Sequence, residues 1–245
     1  MQDIDISNNK NIFFKNFSYV GKSIKLNFVF WISTIICLII ITQFSDDKSY
    51  WNTTLTFIIA MLLGWYIHYL SHAYDILMIY ENSNNRIMNY VKSNENVDTI
   101  FRTIIYYTID FHDKIHHDTS VNKQKFNLVW EFFQNFLMEG GLLILLAYFY
   151  NFKIKLGNGT FKFNKAVLLL WGLLYATVHN INYIILGCVQ HVNHHINPKT
   201  NYGIDILDIL FDTKYDLENI EDINHASLNV ILITLFIIYF KIFID

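Results

Sequence analysis

The chain of 245 residues is 53% hydrophobic and only 16% charged, with a mean hydropathy of +0.27 and a formal net charge of −3. This composition excludes a disordered chain, and the absence of excess positive charge excludes nucleic acid as a partner. The two cysteines lie in or beside apolar runs, which excludes a disulfide scaffold and a thiolate metal cluster.

The sequence is typical of one integral membrane domain. The first 25 residues are polar, contain four lysines and have no cleavable signal peptide, so we expect segment 1–25 to be cytosolic. Five apolar runs follow within residues 26–245, and none has the alternation of a β-strand. We therefore expect an all-α bundle of four to five transmembrane helices, in which the fifth run either spans the bilayer or caps the bundle. The runs cover residues 26–43, 53–80, 126–150, 165–187 and 226–244.

The distribution of positive charge predicts the orientation of these runs. If the N-terminus is cytosolic and the first four runs span, the cytosolic segments contain 12 lysines and arginines, against 5 in the opposite loops. Asn-x-Thr sequons at Asn52 and Asn158 fall in the opposite loops, as expected for a lumenal side. The cytosolic segments would be 1–25, 81–125 and 188–224, and the opposite loops 44–52 and 151–165.

Eight of the ten histidines form three short boxes. Side chains four residues apart share a helix face, so His68 and His72 can bind one metal together. In the second box we expect His112 and His116 to share a face, with His117 about a quarter-turn away. In the third box we expect a single stripe of three rings. Eight imidazoles exceed the needs of one ion and indicate two. The boxes read HYLSH at 68–72, HDKIHH at 112–117 and HVNHH at 191–195.

The predicted topology brings all three boxes to one membrane face, where ionisable residues are costly and usually functional. A lone histidine on an apolar helix is more often a hydrogen-bonded core residue, but three boxes on one face favour metal binding. Imidazole ligands suit Fe, Zn, Cu or Ni and do not choose among them. Nearby acids either accept N–H bonds from the ligating rings or are solvated loop and cap residues; they are Asp75, Asp110, Asp113, Asp118 and Asp208.

The boxes resemble those of the fatty acid hydroxylase superfamily, the membrane di-iron sterol desaturases and lipid hydroxylases. The similarity covers about residues 50–215 and continues past the third box through Asn201-Tyr202-Gly203, Asp208 and the Phe211/Thr213 pair. Leu207 and Asp212 stand where the family usually has Trp and Gly. His179 resembles an isolated family histidine that completes the metal cluster.

This resemblance implies an endoplasmic reticulum enzyme with a histidine-rich di-metal cap on the cytosolic side. Two irons, O2 and two electrons from an external donor, commonly cytochrome b5 and its reductase, would oxidise an unactivated C–H bond of a membrane lipid. The lipid would be fatty acyl, sphingoid or sterol. Hydroxylation is the first expectation and desaturation at the same site the alternative. The implied ligands are His68, His72, His112, His116, His117, His179, His191, His194 and His195.

Residues outside the boxes support several interpretations. Glu131 is a candidate for orienting a histidine ring, and Glu139 either pairs with a pathway residue or marks a break in the third run. Asn180 and Asn182 either hold a metal-bound water or pack helices, and His225 is expected to be interfacial rather than a ligand.

Other classes of protein are less consistent with the sequence. The main competing class is a membrane metal-binding protein or transporter, whose ligands would lie near the bilayer midplane between broken helices. A catalytically inactive homologue would be expected to have lost box residues. A bis-histidine haem protein needs two facing histidines rather than contiguous triplets.

Overall fold

A computed structural model describes residues 6–117, 125–150, 153–157 and 159–244, and the chain is mostly helical, which confirms the predicted class. The departure within these ranges is a small antiparallel hairpin, β1 (Lys153–Leu156) with β2 (Gly159–Lys162). Four π-helical segments interrupt the described helices at Ile105–Ile109, His112–His116, Leu137–Gly141 and Val178–Ile185. The helices are α1 Ile6–Leu26, α2 Phe28–Phe44, α3 Tyr50–Ala73, α4 Ile76–Asn82, α5 Arg86–Ser93, α6 Glu95–Ile104, α7 Lys125–Phe136, α8 Leu142–Tyr150, α9 Lys165–Thr177, α10 Val189–Ile196, α11 Asp205–Leu210 and α12 Ser227–Ile244.

Among the described residues, three helical stretches are long and apolar enough to cross a membrane: Tyr50–Ala73, Lys165–Ile185 and Asn224–Ile242. A fourth span is possible if Asn16–Leu26 and Phe28–Phe44, which meet at 74°, count as one. Within the part of the chain that the structure describes, three to four spans are therefore compatible with an integral membrane protein, and this range meets the predicted four to five at four.

The third run, 126–150, is not among these candidates, and several of its side chains lie outside the described residues. Its backbone is helical throughout, as α7, the π-helical segment Leu137–Gly141 and α8, and the candidate span Lys165–Ile185 contains a π-helical segment in the same way. The second run ends earlier than predicted, at Ala73, because the Asp75 carboxylate accepts the Met78 N–H at 2.8 Å and caps the separate helix α4. The fifth run is one of the candidate spans.

The core lies between α2, α3, α9 and α12, where α12 packs against both α2 and α9. At one end of the bundle a buried polar network joins three of these helices: the Thr42 hydroxyl donates to Thr53 at 2.8 Å, and the Asn164 amide donates to Thr53 at 2.9 Å. Such interhelical hydrogen bonds hold helices together in surroundings where apolar packing alone gives little preference. The outward faces of α2 and α12 remain covered with exposed apolar side chains, as a lipid-facing surface would be.

The N-terminal segment is part of the fold. Helix α1 occupies most of the predicted cytosolic segment 1–25, and its Tyr19 and Val20 pack against Ile209 of α11. At the bend between α1 and α2, the buried Asn27 side chain donates to the Glu221 carbonyl and accepts from the Ile223 N–H, both at 2.8 Å. This bend therefore holds the segment that precedes α12.

Candidate metal centre

All nine histidines predicted as ligands meet in one cluster at the ends of four helical elements. The first box forms the last turns of α3, the second box is a π-helical turn, and the third box is α10. His179 comes from the π-helical continuation of α9. His225 is exposed in the 3-10 turn Asn224–Ala226 and belongs to none of the histidine groups seen in the described residues.

Five imidazole rings are linked by short contacts between their Nε2 atoms, and we name them group one; the ligand atoms of His68, His72, His112 and His194 all lie within 4.8 Å of one another. The Nε2 atom of His68 lies 2.8 Å from that of His112 and 3.1 Å from that of His194. His194 Nε2 also lies 3.2 Å from His72 Nε2 and 3.1 Å from His117 Nε2. Group one thus contains ligand atoms from all three boxes.

Three further nitrogens form group two. The Nε2 atom of His195 lies 3.0 Å from both His116 Nε2 and His191 Nε2. The groups are adjacent, because the ligand atoms of His112, His116 and His117 also lie within 4.8 Å of one another. Two neighbouring cation positions, rather than one, are the arrangement that this geometry suits.

The second box does not divide as predicted. His112 and His117, rather than His112 and His116, point to the same group, with their Nε2 atoms 3.2 Å apart. The His117 N–H bonds the His112 carbonyl at 3.1 Å, so the turn is π-helical. Because an i→i+5 turn is wider than an α-helical turn, both His116 and His117 lie beside His112, with ring centroids 4.8 and 4.9 Å away, and the short Nε2 contact is with His117.

The third box also divides. His191 and His195, four apart on α10, belong to group two, whereas His194 faces group one. The three histidines therefore do not form the expected single stripe. They project from two sides of α10, which lies between the two groups. Because adjacent residues point about 100° apart around a helix, this placement allows one box to serve both groups.

Backbone carbonyls determine the protonation of two rings in group one. His68 Nδ1 lies 2.6 Å from the Tyr202 carbonyl, and His194 Nδ1 lies 2.6 Å from the Thr200 carbonyl. A carbonyl can only accept, so both rings hold their proton on Nδ1 and direct an unprotonated Nε2 inward. These two Nε2 atoms lie 3.1 Å apart, so their lone pairs face each other and repel unless a cation lies between them.

The spacing agrees with metal coordination. A metal–nitrogen bond of about 2.0–2.1 Å places two ligand nitrogens ~2.9 Å apart at a right angle and ~3.3 Å apart at the tetrahedral angle. The seven closest Nε2 contacts in the two groups measure 2.8 to 3.2 Å. The residues present therefore fit two metal ions bound through imidazole.

The surroundings keep the box histidines neutral, which is the form that binds metal. Burial is the largest cause of a lowered pKa in each of the five box histidines that lie outside the candidate spans and have a resolved shift, and neighbouring histidines add to it. For His194, which is 1% exposed, the pKa falls to about 3. The other lowered pKa values are those of His112, His116, His117 and His191.

His179 differs from the eight box histidines. Its ring centroid lies 4.8 Å from those of both His116 and His191, but its Nδ1 faces the amide nitrogen of Asn135 at 2.9 Å. The direction of this bond follows from a backbone group: Asn180 Nδ2 donates to the Leu128 carbonyl, so the Asn180 oxygen accepts from Asn135. A neutral His179 that accepts at Nδ1 holds its proton on Nε2.

The acids near the site mostly bind backbone rather than rings. Glu131, 3% exposed, contacts His116 Nδ1 and lies 4.0 Å from His179 Nδ1, as expected of an orienting residue. Asp113 approaches a ligating ring, at 3.7 Å from His72 Nδ1. Asp110 accepts the N–H groups of Ile76 and Leu77, which begin α4. Asp118 and the Glu139 side chain lie outside the described residues.

Asp208 is completely buried beneath group one. It accepts hydrogen bonds from Trp65 Nε1 at 3.0 Å and from the Tyr202 and Gly203 N–H groups at 2.9 and 3.1 Å. The Tyr202 carbonyl in turn binds His68. Asp208 thus holds the backbone that orients a ring, rather than the ring itself, which differs from the role considered from sequence.

Several supporting residues were not found from the sequence. Tyr175 lies one helical turn before His179, and its hydroxyl is 3.2 Å from His68 Nδ1. Asn135 is four residues after Glu131, a spacing that could have indicated a shared face. Asn180 and Asn182, each considered for holding water, have packing partners: Asn180 bonds Asn135, and the Asn182 oxygen accepts from Asn229 at 3.3 Å.

The Asn52 sequon does not indicate the lumenal side. Asn52 is buried at 7% exposure in the first turns of α3, and its amide donates to Asp47 at 2.6 Å. A glycan on Asn52 would replace this hydrogen bond and the contacts of the buried side chain. The second sequon, at Asn158, lies outside the described residues.

A largely apolar cavity adjoins the histidine cluster. Its volume is about 80 Å³, so it is narrow. His68, His179 and His191 form one part of the wall, and Phe30 and Trp171 form the apolar part between the helices.

Comparison with protein-family models, with curated proteins and with solved structures gives no match to this chain.

Proposed function

We propose that the chain is a membrane-bound oxidoreductase that holds two iron ions in its histidine groups and uses O2 to hydroxylate an unactivated C–H bond of a membrane lipid. One observation carries this proposal: the converging Nε2 atoms of groups one and two, in which carbonyl-bound rings face each other with lone pairs. Protein side chains lack the oxidising power for this reaction, and two bound irons would supply the activation of O2.

The chain's own residues would hold the two ions, orient the ligating rings and enclose the lipid chain. Group one would bind one ion and group two the other, while His179 and Glu131 adjoin group two and support His116. The carbonyls of Tyr202 and Thr200 keep two rings in the binding tautomer. The narrow apolar cavity would exclude water and align a lipid chain beside the histidines.

The choice of iron rests on the resemblance to the fatty acid hydroxylase superfamily, since imidazole alone does not select a metal. Two backbone features support that resemblance. Asp212 has a φ of 58°, in the left-handed region, at a position where the family pattern has glycine. At Gly203 of the Asn-Tyr-Gly run, an added Cβ would lie 3.1 Å from Trp65 Cδ1, which is closer than most side chains allow.

The same site could remove two hydrogens instead of inserting oxygen, so a lipid desaturase is the alternative within this proposal. A metal transporter is the alternative outside it. The histidines lie at helix ends and in the connecting turns, and the adjoining cavity is apolar, which favours oxidation of a lipid over passage of an ion. In the proposed orientation the cluster faces the cytosol at the endoplasmic reticulum, where cytochrome b5 and its reductase would supply electrons.

The test is comparative lipidomics of yeast microsomes that express the wild type, His194→Ala or His225→Ala. We expect a lipid that gains one oxygen, or loses two hydrogens, with the wild type and with His225→Ala but not with His194→Ala. The exposed His225 is the matched control. Metal analysis of the purified protein accompanies the experiment, with two irons per chain expected; two zinc ions and no altered lipid would overturn the proposal.

A further inference from the structure

An acidic side chain stands in the wall of the otherwise apolar cavity. Glu221 is only 4% exposed and lines the cavity together with Tyr183 and Asp205. Asp205 is paired with Lys214, whereas no ion pair to Glu221 is seen among the residues that the structure describes. Burying a carboxyl group without a basic partner is costly, so its place in a cavity wall needs an explanation.

The Glu221 carboxylate has unused hydrogen-bond acceptor positions. The Cys188 thiol donates to Glu221 Oε1 at 3.2 Å, and the Tyr183 hydroxyl hydrogen-bonds the same carboxyl group. A carboxylate offers about four acceptor positions, so a further donor from the cavity can be bound. Burial, and then the neighbouring Asp205, raises the pKa of Glu221 to about 7.

The backbone holds Glu221 in place from two sides. Its carbonyl accepts from Asn27 at 2.8 Å, and its N–H donates to Asp205 Oδ2 at 2.6 Å. Glu221 therefore lies beside the bend that begins α2 and shortly before α12, at the ends of two candidate spans. A lipid that lies along these helices would have its polar end at this level.

A single aromatic ring separates Glu221 from group two. The ring of Tyr183 stacks on that of His191, with centroids 5.6 Å apart and planes at 30°, and its hydroxyl binds Glu221. A polar group bound at Glu221 would thus be placed close to the proposed reaction centre, with the attached chain extending between Phe30 and Trp171.

We propose that Glu221 binds a hydrogen-bond-donating group, a hydroxyl or an amine, at the end of the lipid chain that occupies the cavity. This inference rests on the proposed function, because it names the substrate class of the same site. The substrate is then a long-chain alcohol or amine rather than a bare hydrocarbon, which has no donor for the carboxyl group.

Quenching of tryptophan fluorescence by brominated chains tests this binding on the purified full chain. The probes are 12-bromododecan-1-ol, 12-bromododecylamine and 1-bromododecane. Trp65 and Trp171 both line the cavity, and Trp171→Phe identifies the part of the signal that comes from the Trp171 side. We expect the wild type to bind the alcohol or the amine at least tenfold more tightly than the bromoalkane. A preference for one of the two polar probes decides between a hydroxyl and an ammonium group.

Variants of Glu221 make the inference falsifiable. We expect Glu221→Leu to remove the preference, and Glu221→Gln, which keeps the shape, to weaken the preferred probe at least threefold. Glu218→Gln is the control, since Glu218 is exposed and outside the cavity wall. Equal binding of all three probes, or unchanged binding in both Glu221 variants, overturns the inference. Metal content is measured on the same samples, so failure of this recognition is distinguished from failure of the metal site.

Discussion

The histidines of the cluster differ in the group that determines which ring nitrogen holds the proton. His68 and His194 are bound by backbone carbonyls, which cannot be removed by substitution and which leave Nε2 unprotonated. His179 is bound by an amide donor, which places the proton on the other nitrogen. The same residue type is therefore prepared for coordination at two positions and for hydrogen bonding at the third.

Substitution of a ring in group one should remove activity without preventing membrane insertion. His194 contacts His68, His72 and His117 within group one. We expect His194→Ala, His72→Ala or His117→Ala to abolish product formation, while the protein still fractionates with membranes, and to lower the metal content from about two ions per chain to about one. Full activity in any of the three variants would contradict the two-metal site.

His179 provides a separate test at group two. Because its Nδ1 accepts from Asn135, we expect His179→Ala to reduce metal content less than His191→Ala does. Metal analysis of both purified variants checks this, with at least a twofold difference in bound metal at equal metal concentration. Equal losses would show that His179 coordinates directly, as the resemblance implies.

The ends of the helical elements position the histidine rings. The π-helical turn brings His112 and His117 to the same face, and Asp110, immediately before it, holds the first turn of α4 through two backbone N–H groups at 3.1 and 2.8 Å. Asp110 is only 2% exposed. Its carboxylate therefore joins the second box to the element that follows α3.

Loss of this connection should disturb both metal positions. We expect Asp110→Ala to leave two N–H groups unsatisfied, to destabilise the protein by about 2–3 kcal/mol and to reduce metal content. Thermal unfolding in detergent and metal analysis measure the two effects. Asp113→Ala is the control for thermal stability, because the Asp113 side chain is 40% exposed and accepts no backbone N–H among the described residues; an equally large loss of stability there would argue against the role of Asp110.

The stability of the whole molecule should depend on pH through its buried histidines. For His194 the folded pKa of about 3 lies below the ordinary 6.5, so its contribution is fully present above pH 6.5 and is lost as the pH falls below that value. Between pH 7.5 and 5.5 this amounts to about 1.4 kcal/mol for such a group. His112, His116, His117 and His191 act in the same direction.

We therefore expect the metal-free protein to unfold at a lower temperature at pH 5.5 than at pH 7.5, and the metal-loaded protein to lose its ions over the same range. Thermal unfolding of chelator-treated and untreated samples across this range measures both. A melting temperature independent of pH in the chelator-treated sample would contradict burial of neutral histidines.

Much of the fold could be predicted because it depends on local composition. Apolar runs at 165–187 and 226–244 correspond closely to candidate spans, since length and hydropathy decide whether a helix can cross a bilayer. The third run is helical as predicted, although it contains the π-helical segment Leu137–Gly141. Hydropathy does not detect a change of helix type.

The sequence by itself determined the helical class, the three boxes and their meeting at one end of the bundle, because each follows from spacing and from the order of apolar runs. Tertiary structure alone decided how the rings divide into two groups, with His117 and His194 in group one and His116 in group two. The physical reason is that helix type at the second box and the placement of α10 between the groups depend on packing. Packing also placed Glu221 in the cavity wall, where no local pattern marks it.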